Sequence, residues 1–149
     1  MHEIEEGLFL GNIHGAENLK LLEQHNIKAI VRCVNQGFYT QTPFEQMNYH
    51  YVPIEDYWGA DIASHVPEAV RFIHRNRAEG NNVLVHCAAG VSRSASITIA
   101  YLMAKYQNGY DQTLYLVRSK RSCVCPNPGF VRQLRQLSLK DLASYLELN

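Results

Sequence analysis

The stretch VLVHCAAGVSRSASITIAYLM, residues 83–103, limits what this chain can fold into more than any other. Val83, Leu84 and Val85 form a short apolar run with no polar alternate, the pattern of a strand buried on both faces. Residues 92–109, SRSASITIAYLMAKYQNG, read as a helix that is apolar on most sides. VLVHC is therefore expected to be a central strand. The loop between them holds only small or short side chains: Ala88, Ala89, Gly90, Val91 and Ser92.

The remaining segments fit around that unit. GAENLKLLEQHN has Ala16, Leu19 and Leu22 three residues apart and predicts an amphipathic helix, and IKAIVRCV after it reads as a buried strand. MNYHYVPI predicts another strand, closed by Pro53. Val66, Ala69, Val70 and Ile73 recur at helical spacing within 62–77, and EGNN ends that helix. Two further helices are expected: DQTLYLVRSKR with Asp111 as N-cap, and PGFVRQLRQLSLKDLASYL with Phe130, Leu134 and Leu137 on one face. Strands alternating with helices, then helices alone, predict an α/β fold whose sheet is covered on both faces. At 149 residues the expectation is one domain over 1–149. Such sheets bind ligands beyond the C-terminal ends of their strands, which is where the small-residue loop falls.

Composition narrows the partners. Fourteen Lys and Arg balance fourteen Asp and Glu, and no basic run forms a stripe, so neither nucleic acid nor a membrane surface is expected as a partner. MHEIEEGLFLGN lacks a signal-peptide pattern, and His2 stands where myristoylation needs glycine. Four cysteines, at 33, 87, 123 and 125, are too few and too irregular for a disulfide scaffold and read as thiols. None of the seven histidines pairs with them at a zinc-finger spacing, so no metal is expected. A cytoplasmic or nuclear protein follows from these readings.

The loop itself carries chemistry. Small side chains leave the N–H groups of Ala88, Ala89, Gly90, Val91, Ser92 and Arg93 free to converge on one anion. The helix N-terminus adds its dipole, and the Arg93 guanidinium can hold two oxygens at once. A field that holds phosphate also stabilises a thiolate, so Cys87 at its floor becomes a nucleophile.

HCAAGVSRS resembles the signature of the cysteine-dependent protein phosphatases: histidine, cysteine, five residues, arginine, then serine or threonine. The longer stretch to Met103 resembles the dual-specificity branch, and the likeness runs from about Gly7 to about Leu139. The resemblance implies a protein-tyrosine-phosphatase-like fold with a mixed, mostly parallel sheet. It implies hydrolysis of phosphotyrosine and phosphoserine or phosphothreonine in proteins through a cysteinyl-phosphate intermediate, with no cofactor required. It also implies an acid about thirty residues upstream, and VPIEDYW supplies Asp56, thirty-one before Cys87, with Glu55 and Asp61 as neighbours able to take the part. Ser94 corresponds to the hydroxyl that hydrogen-bonds the sulfur, His86 to a residue that bonds the loop backbone, and Asn127 in PNPGF to a brace for the loop. A general acid that starts protonated beside a cysteine that starts ionised implies a bell-shaped pH profile. The uncharged AAGVS argues against phosphoinositide or RNA-triphosphate substrates.

Some readings stay open at this point. Tyr57 and Trp58 either flank a bound phosphotyrosine ring or pack the loop down. AIVRC and VLVHC end alike, and on neighbouring parallel strands about 4.8 Å apart Cys33 is a candidate redox partner for Cys87, or a packing thiol. Cys123 and Cys125 read as loop residues, and Lys120 and Arg121 as a solvated helix end, with contacts to acidic residues beside the phosphorylated one as the alternative. The contrasting functions are a silent phosphoprotein-binding module, a phosphotyrosine-only phosphatase and a rhodanese-like sulfur transferase.

Overall fold

The computed structural model describes residues 1–35, 37 and 43–147. Five strands, β1 (His2–Glu5), β2 (Leu8–Gly11), β3 (Ile27–Arg32), β4 (Asn48–Tyr51) and β5 (Asn82–His86), form one sheet in the order β1-β2-β5-β3-β4. β1 is antiparallel to β2, and every other pairing is parallel. VLVH therefore lies at the centre, between β2 and β3, as its unbroken apolar run requires.

Alternation along the three inner strands sorts the core into two faces. Phe9, Ile30 and Leu84 point to one side, where Ala16, Leu22 and Met47 cover them. Leu8, Leu10, Ala29, Val31, Val83 and Val85 point to the other, under the larger helical layer. The first side is covered by α1 (Ile13–Ala16) and α2 (Leu19–Gln24). The second takes α3 (Val66–Ala78), α4 (Arg93–Tyr106), α5 (Tyr110–Lys120), α6 (Pro128–Arg135) and α7 (Leu139–Ser144). Every residue of α4 from Ser94 to Ala104 is buried, because α4 contacts α3, α5, α6 and α7 as well as β5 and β2. That explains a helix with hardly any polar stripe.

Several sequence expectations need correction. The single helix expected over GAENLKLLEQHN is two short helices, since Asn12 and Asn18 each cap a new start, accepting from the Gly15 and Leu21 amides at 3.1 Å. PGFVRQLRQLSLKDLASYL is likewise broken, because Ser138 caps α7 by accepting from the Asp141 amide. Leu137 falls in that break and is only partly buried. Asp111 is not an N-cap: Gly109 takes that position, and Asp111 sits inside the first turn of α5, paired with Arg135 at 2.8 Å. The hairpin of β1 and β2 is an addition that the sequence reading did not contain, turning at Gly7 with φ +86°.

Candidate active site

Cys87 follows directly on β5, and the chain then closes a tight loop before α4 begins at Arg93. Five successive carbonyls of that loop, Cys87 to Val91, face donors outside it. Ala88 O accepts from the Ile13 amide at 3.2 Å and Val91 O from the Cys125 amide at 2.8 Å. Ala89 O accepts from Arg121 Nη2 at 3.1 Å, and Gly90 O from Arg121 Nε at 2.9 Å. Cys87 O faces His86 Nδ1 at 3.2 Å. In a trans peptide the C=O and N–H point in opposite directions, and there are no cis peptides among the described residues. Five carbonyls fixed outward therefore turn the amides between them inward.

Gly90 is needed at the apex for two reasons. Its φ is +71°, and a Cβ there would stand 2.6 Å from the Gly11 carbonyl oxygen and 2.7 Å from Arg121 Nη2. Inside the loop its amide donates to Cys87 Sγ at 3.2 Å, and Ser94 Oγ lies 3.0 Å from the same sulfur. Burial alone would push the Cys87 thiol up. The Ser94 hydroxyl and the amides of Ser94, Gly90 and Val91 outweigh it and hold the thiol below its ordinary range.

Arg93 donates from Nη1 to the Ile54 carbonyl at 3.0 Å, which ties the start of α4 to the segment after β4. Its buried Nε has no hydrogen-bond partner among the described residues. His86 is fully buried, and that burial drives its pKa down to about 4, so the ring is neutral at physiological pH. A neutral ring donating from Nδ1 to Cys87 O leaves Nε2 as a bare acceptor.

The carboxylate beside the cradle comes from the segment after β4. Asp56 is exposed, and its Oδ1 accepts from Asn127 Nδ2 at 2.9 Å. Asn127 also donates its amide to Ser92 Oγ at 2.9 Å, and its Oδ1 caps α6 at the Phe130 amide, again at 2.9 Å. It thus joins the loop, the acid segment and α6, touching the loop through its backbone while its side chain serves Asp56 and the cap. Asp61 is engaged elsewhere, accepting from the Ser64 amide, and Glu55 is exposed. Asp56 is the one of the three that is linked, through Asn127, to a residue of the loop.

α6 sets the height of that segment. A Cβ on Gly129 would stand 1.7 Å from the Trp58 carbonyl oxygen, so the helix start and the Trp58 backbone touch without room for any side chain. One turn on, Gln133 donates to Ala60 O at 2.8 Å and accepts from the Ala63 amide at 3.0 Å. PNPGF is thus a seat for the acid segment as well as a helix start.

Two groups that matter here escaped the sequence reading. Arg121 is 7% exposed and clamps two loop carbonyls, which corrects its assignment to a solvated helix end. Flanking Val117 and Val124, both buried, are the only local sign. Gln133 looks like any polar helix residue. Cys33 lies beside the site as its strand position predicts: Arg32 pairs with His86, and the Cys33 amide donates to His86 O at 2.9 Å. Its thiol is buried, and that burial, with the nearby Cys87 charge, pushes its pKa far up.

The chain is similar to known proteins over nearly its whole length. Residues 8–140 match the family described as "Dual specificity phosphatase, catalytic domain". Dual specificity protein phosphatase 22-A of Danio rerio is 37% identical over 145 residues, spanning 97% of this chain and 68% of that protein. Dual specificity protein phosphatase 22 of Homo sapiens is 34% identical over 145 residues, spanning 97% and 77%. Among solved structures, DUSP15 superposes with a TM-score of 0.90 at 33% identity, covering 97% of this chain and 92% of that one. The human tyrosine phosphatase-like serine/threonine/tyrosine-interacting protein gives 0.84 at 36%, covering 99% and 98%.

Proposed function

Since the chain belongs to the dual specificity phosphatase family, we propose a specific division of labour among its residues for the hydrolysis of phosphotyrosine, phosphoserine and phosphothreonine in proteins. Cys87 attacks phosphorus in line as a thiolate; the S–P bond forms as the bond to the tyrosine, serine or threonine oxygen breaks. Arg93 and the amides from Ala88 to Arg93 hold the three equatorial oxygens. Asp56 gives its proton to the departing oxygen and, in the second step, takes one from the water that attacks phosphorus. Ser94 stabilises the sulfur as it leaves. His86 keeps the Cys87 carbonyl turned out, and Asn127 joins the loop to the acid segment. The observation that carries this reading is the set of five outward-held carbonyls around a buried thiol whose pKa is depressed.

Cys33 is assigned a protective part within the same reading. After peroxide has converted Cys87 to the sulfenic acid, Cys33 sulfur attacks it, forming the disulfide and releasing water. Four free thiols, two of them exposed, suit a reducing compartment and support the reading of a cytoplasmic or nuclear protein. Among the described residues no helix is long and apolar enough to cross a membrane.

Phosphate release from matched phosphotyrosine and phosphothreonine peptides, without added metal, tests the assignment. Turnover of both is expected, abolished in Cys87→Ser and reduced by about 10²-fold or more in Asp56→Ala. Tight phosphopeptide binding by the wild type with no release from either peptide would instead make the loop a recognition site.

A further inference from the structure

The segment that carries Asp56 also lifts two large aromatic side chains into solvent. Trp58 is 61% exposed and Tyr57 45%, with ring centroids 5.3 Å apart and 35° between the planes. Tryptophan is highly buried on average, so this degree of exposure calls for a reason. The backbone beneath the rings is tied down. The Tyr57 amide donates to Glu55 O and the Ala60 amide to Tyr57 O, both at 2.9 Å. Trp58 O is pressed onto Gly129, and Gln133 holds Ala60 and Ala63. Two residues of chain put Trp58 within about 7 Å of Asp56 along the backbone, so the rings continue the rim of the site.

Charge on this rim has one dominant sign. Glu55, Asp56 and Asp61 lie within seven residues that contain no cation, and Arg93, which reaches the neighbouring Ile54 carbonyl, is taken up by the phosphate in the mechanism proposed above. An apolar partner would cover the rings and gain nothing from the carboxylates. A guanidinium or ammonium gains from both, stacking on an electron-rich face while its charge meets Glu55.

We propose that Tyr57 and Trp58 form a substrate subsite for a cationic side chain, arginine or lysine, one or two residues from the phosphorylated residue. The inference rests on the Cys87 loop being the catalytic centre. The test uses phosphotyrosine peptides with arginine or citrulline at each position from −2 to +2, since citrulline keeps the shape and lacks the charge. Calorimetric titration of the Cys87→Ser protein reads the preference without turnover, and kcat/KM of the active protein reads it with turnover. At one position at least, arginine is expected to bind about fivefold tighter than citrulline. Adding Trp58→Ala should bring the two within about twofold, and adding Glu55→Gln should roughly halve the ratio. Equal binding at every position, or a preference that Trp58→Ala leaves intact, overturns the subsite. A preference in binding from a protein that releases no phosphate upholds the subsite and removes the catalytic reading instead.

Discussion

Two buried side chains, His86 and Arg121, hold the loop from beneath, and each makes a measurable claim. His86 stays neutral in the fold down to about pH 4, whereas in the unfolded chain it takes a proton near 6.5. Between those values the unfolded chain binds more protons, so stability is full above about 6.5 and is lost as pH falls toward 4. From pH 7.5 to 5 the loss is about 2 kcal/mol. His86→Asn keeps a donor for Cys87 O and removes the titration. Urea unfolding at the two pH values should therefore show a gap smaller by that amount, and an unchanged gap would place the cause elsewhere. Arg121→Met frees the carbonyls of Ala89 and Gly90, costs about 3 kcal/mol of stability and lets their peptides rotate. The inflection in Cys87 alkylation against pH is then expected to move upward and kcat to fall more than tenfold. A folded variant with an unmoved inflection would refute the clamp.

At the scale of elements, α6 is one rigid piece carrying three tools: the Asn127 cap, the bare Gly129 and the Gln133 fork. Gly129→Ala forces the Trp58 backbone away and Asp56 with it. A general acid matters most when the leaving oxygen is a poor one. Turnover of a phosphoserine peptide should thus fall about tenfold or more, while an aryl phosphate with an acidic phenol is less affected. Equal losses on both substrates would mean that the substitution damages the cradle rather than the acid segment. The helices that the sequence reading ran together fail for a related reason. Hydrophobic spacing continues across a break of two or three residues, and the caps at Asn18 and Ser138 that mark the breaks are short-range signals that periodicity does not register.

Across the whole molecule the sheet separates two kinds of cluster. The thiol, the cradle and the acid segment gather at the C-terminal ends of β3 and β5. At the opposite end Glu5 of β1 binds Arg77 of α3 and both Lys105 and Tyr106 of α4, and Arg77 also donates to Tyr101 Oη and Glu6 O. These contacts hold the Glu5 carboxyl below the usual range against the burial that would raise it. Partial solvent contact limits the network's worth. Arg77→Met is expected to cost about 1–2 kcal/mol in urea unfolding, with Cys87 alkylation against pH unchanged. A shifted alkylation profile would show that the two ends are coupled through β5.

What the sequence determined by itself is local. An apolar strand, a run of tiny residues and an all-round apolar helix are adjacent in the chain, so Cys87, Arg93 and Ser94 come together whatever surrounds them. Burial on both faces follows from the same run, which is why the central position of VLVH and the α/β class were legible. The tertiary structure decided which way the loop's peptides face, because the donors that hold its carbonyls come from Ile13, Arg121 and Cys125 on three separate parts of the chain. It also decided which carboxylate of IEDYWGAD meets the cradle, through Asn127, seventy-one residues from Asp56. Hydrogen bonds of that range leave no periodicity in a sequence, and a buried arginine is spelled the same as a solvated one.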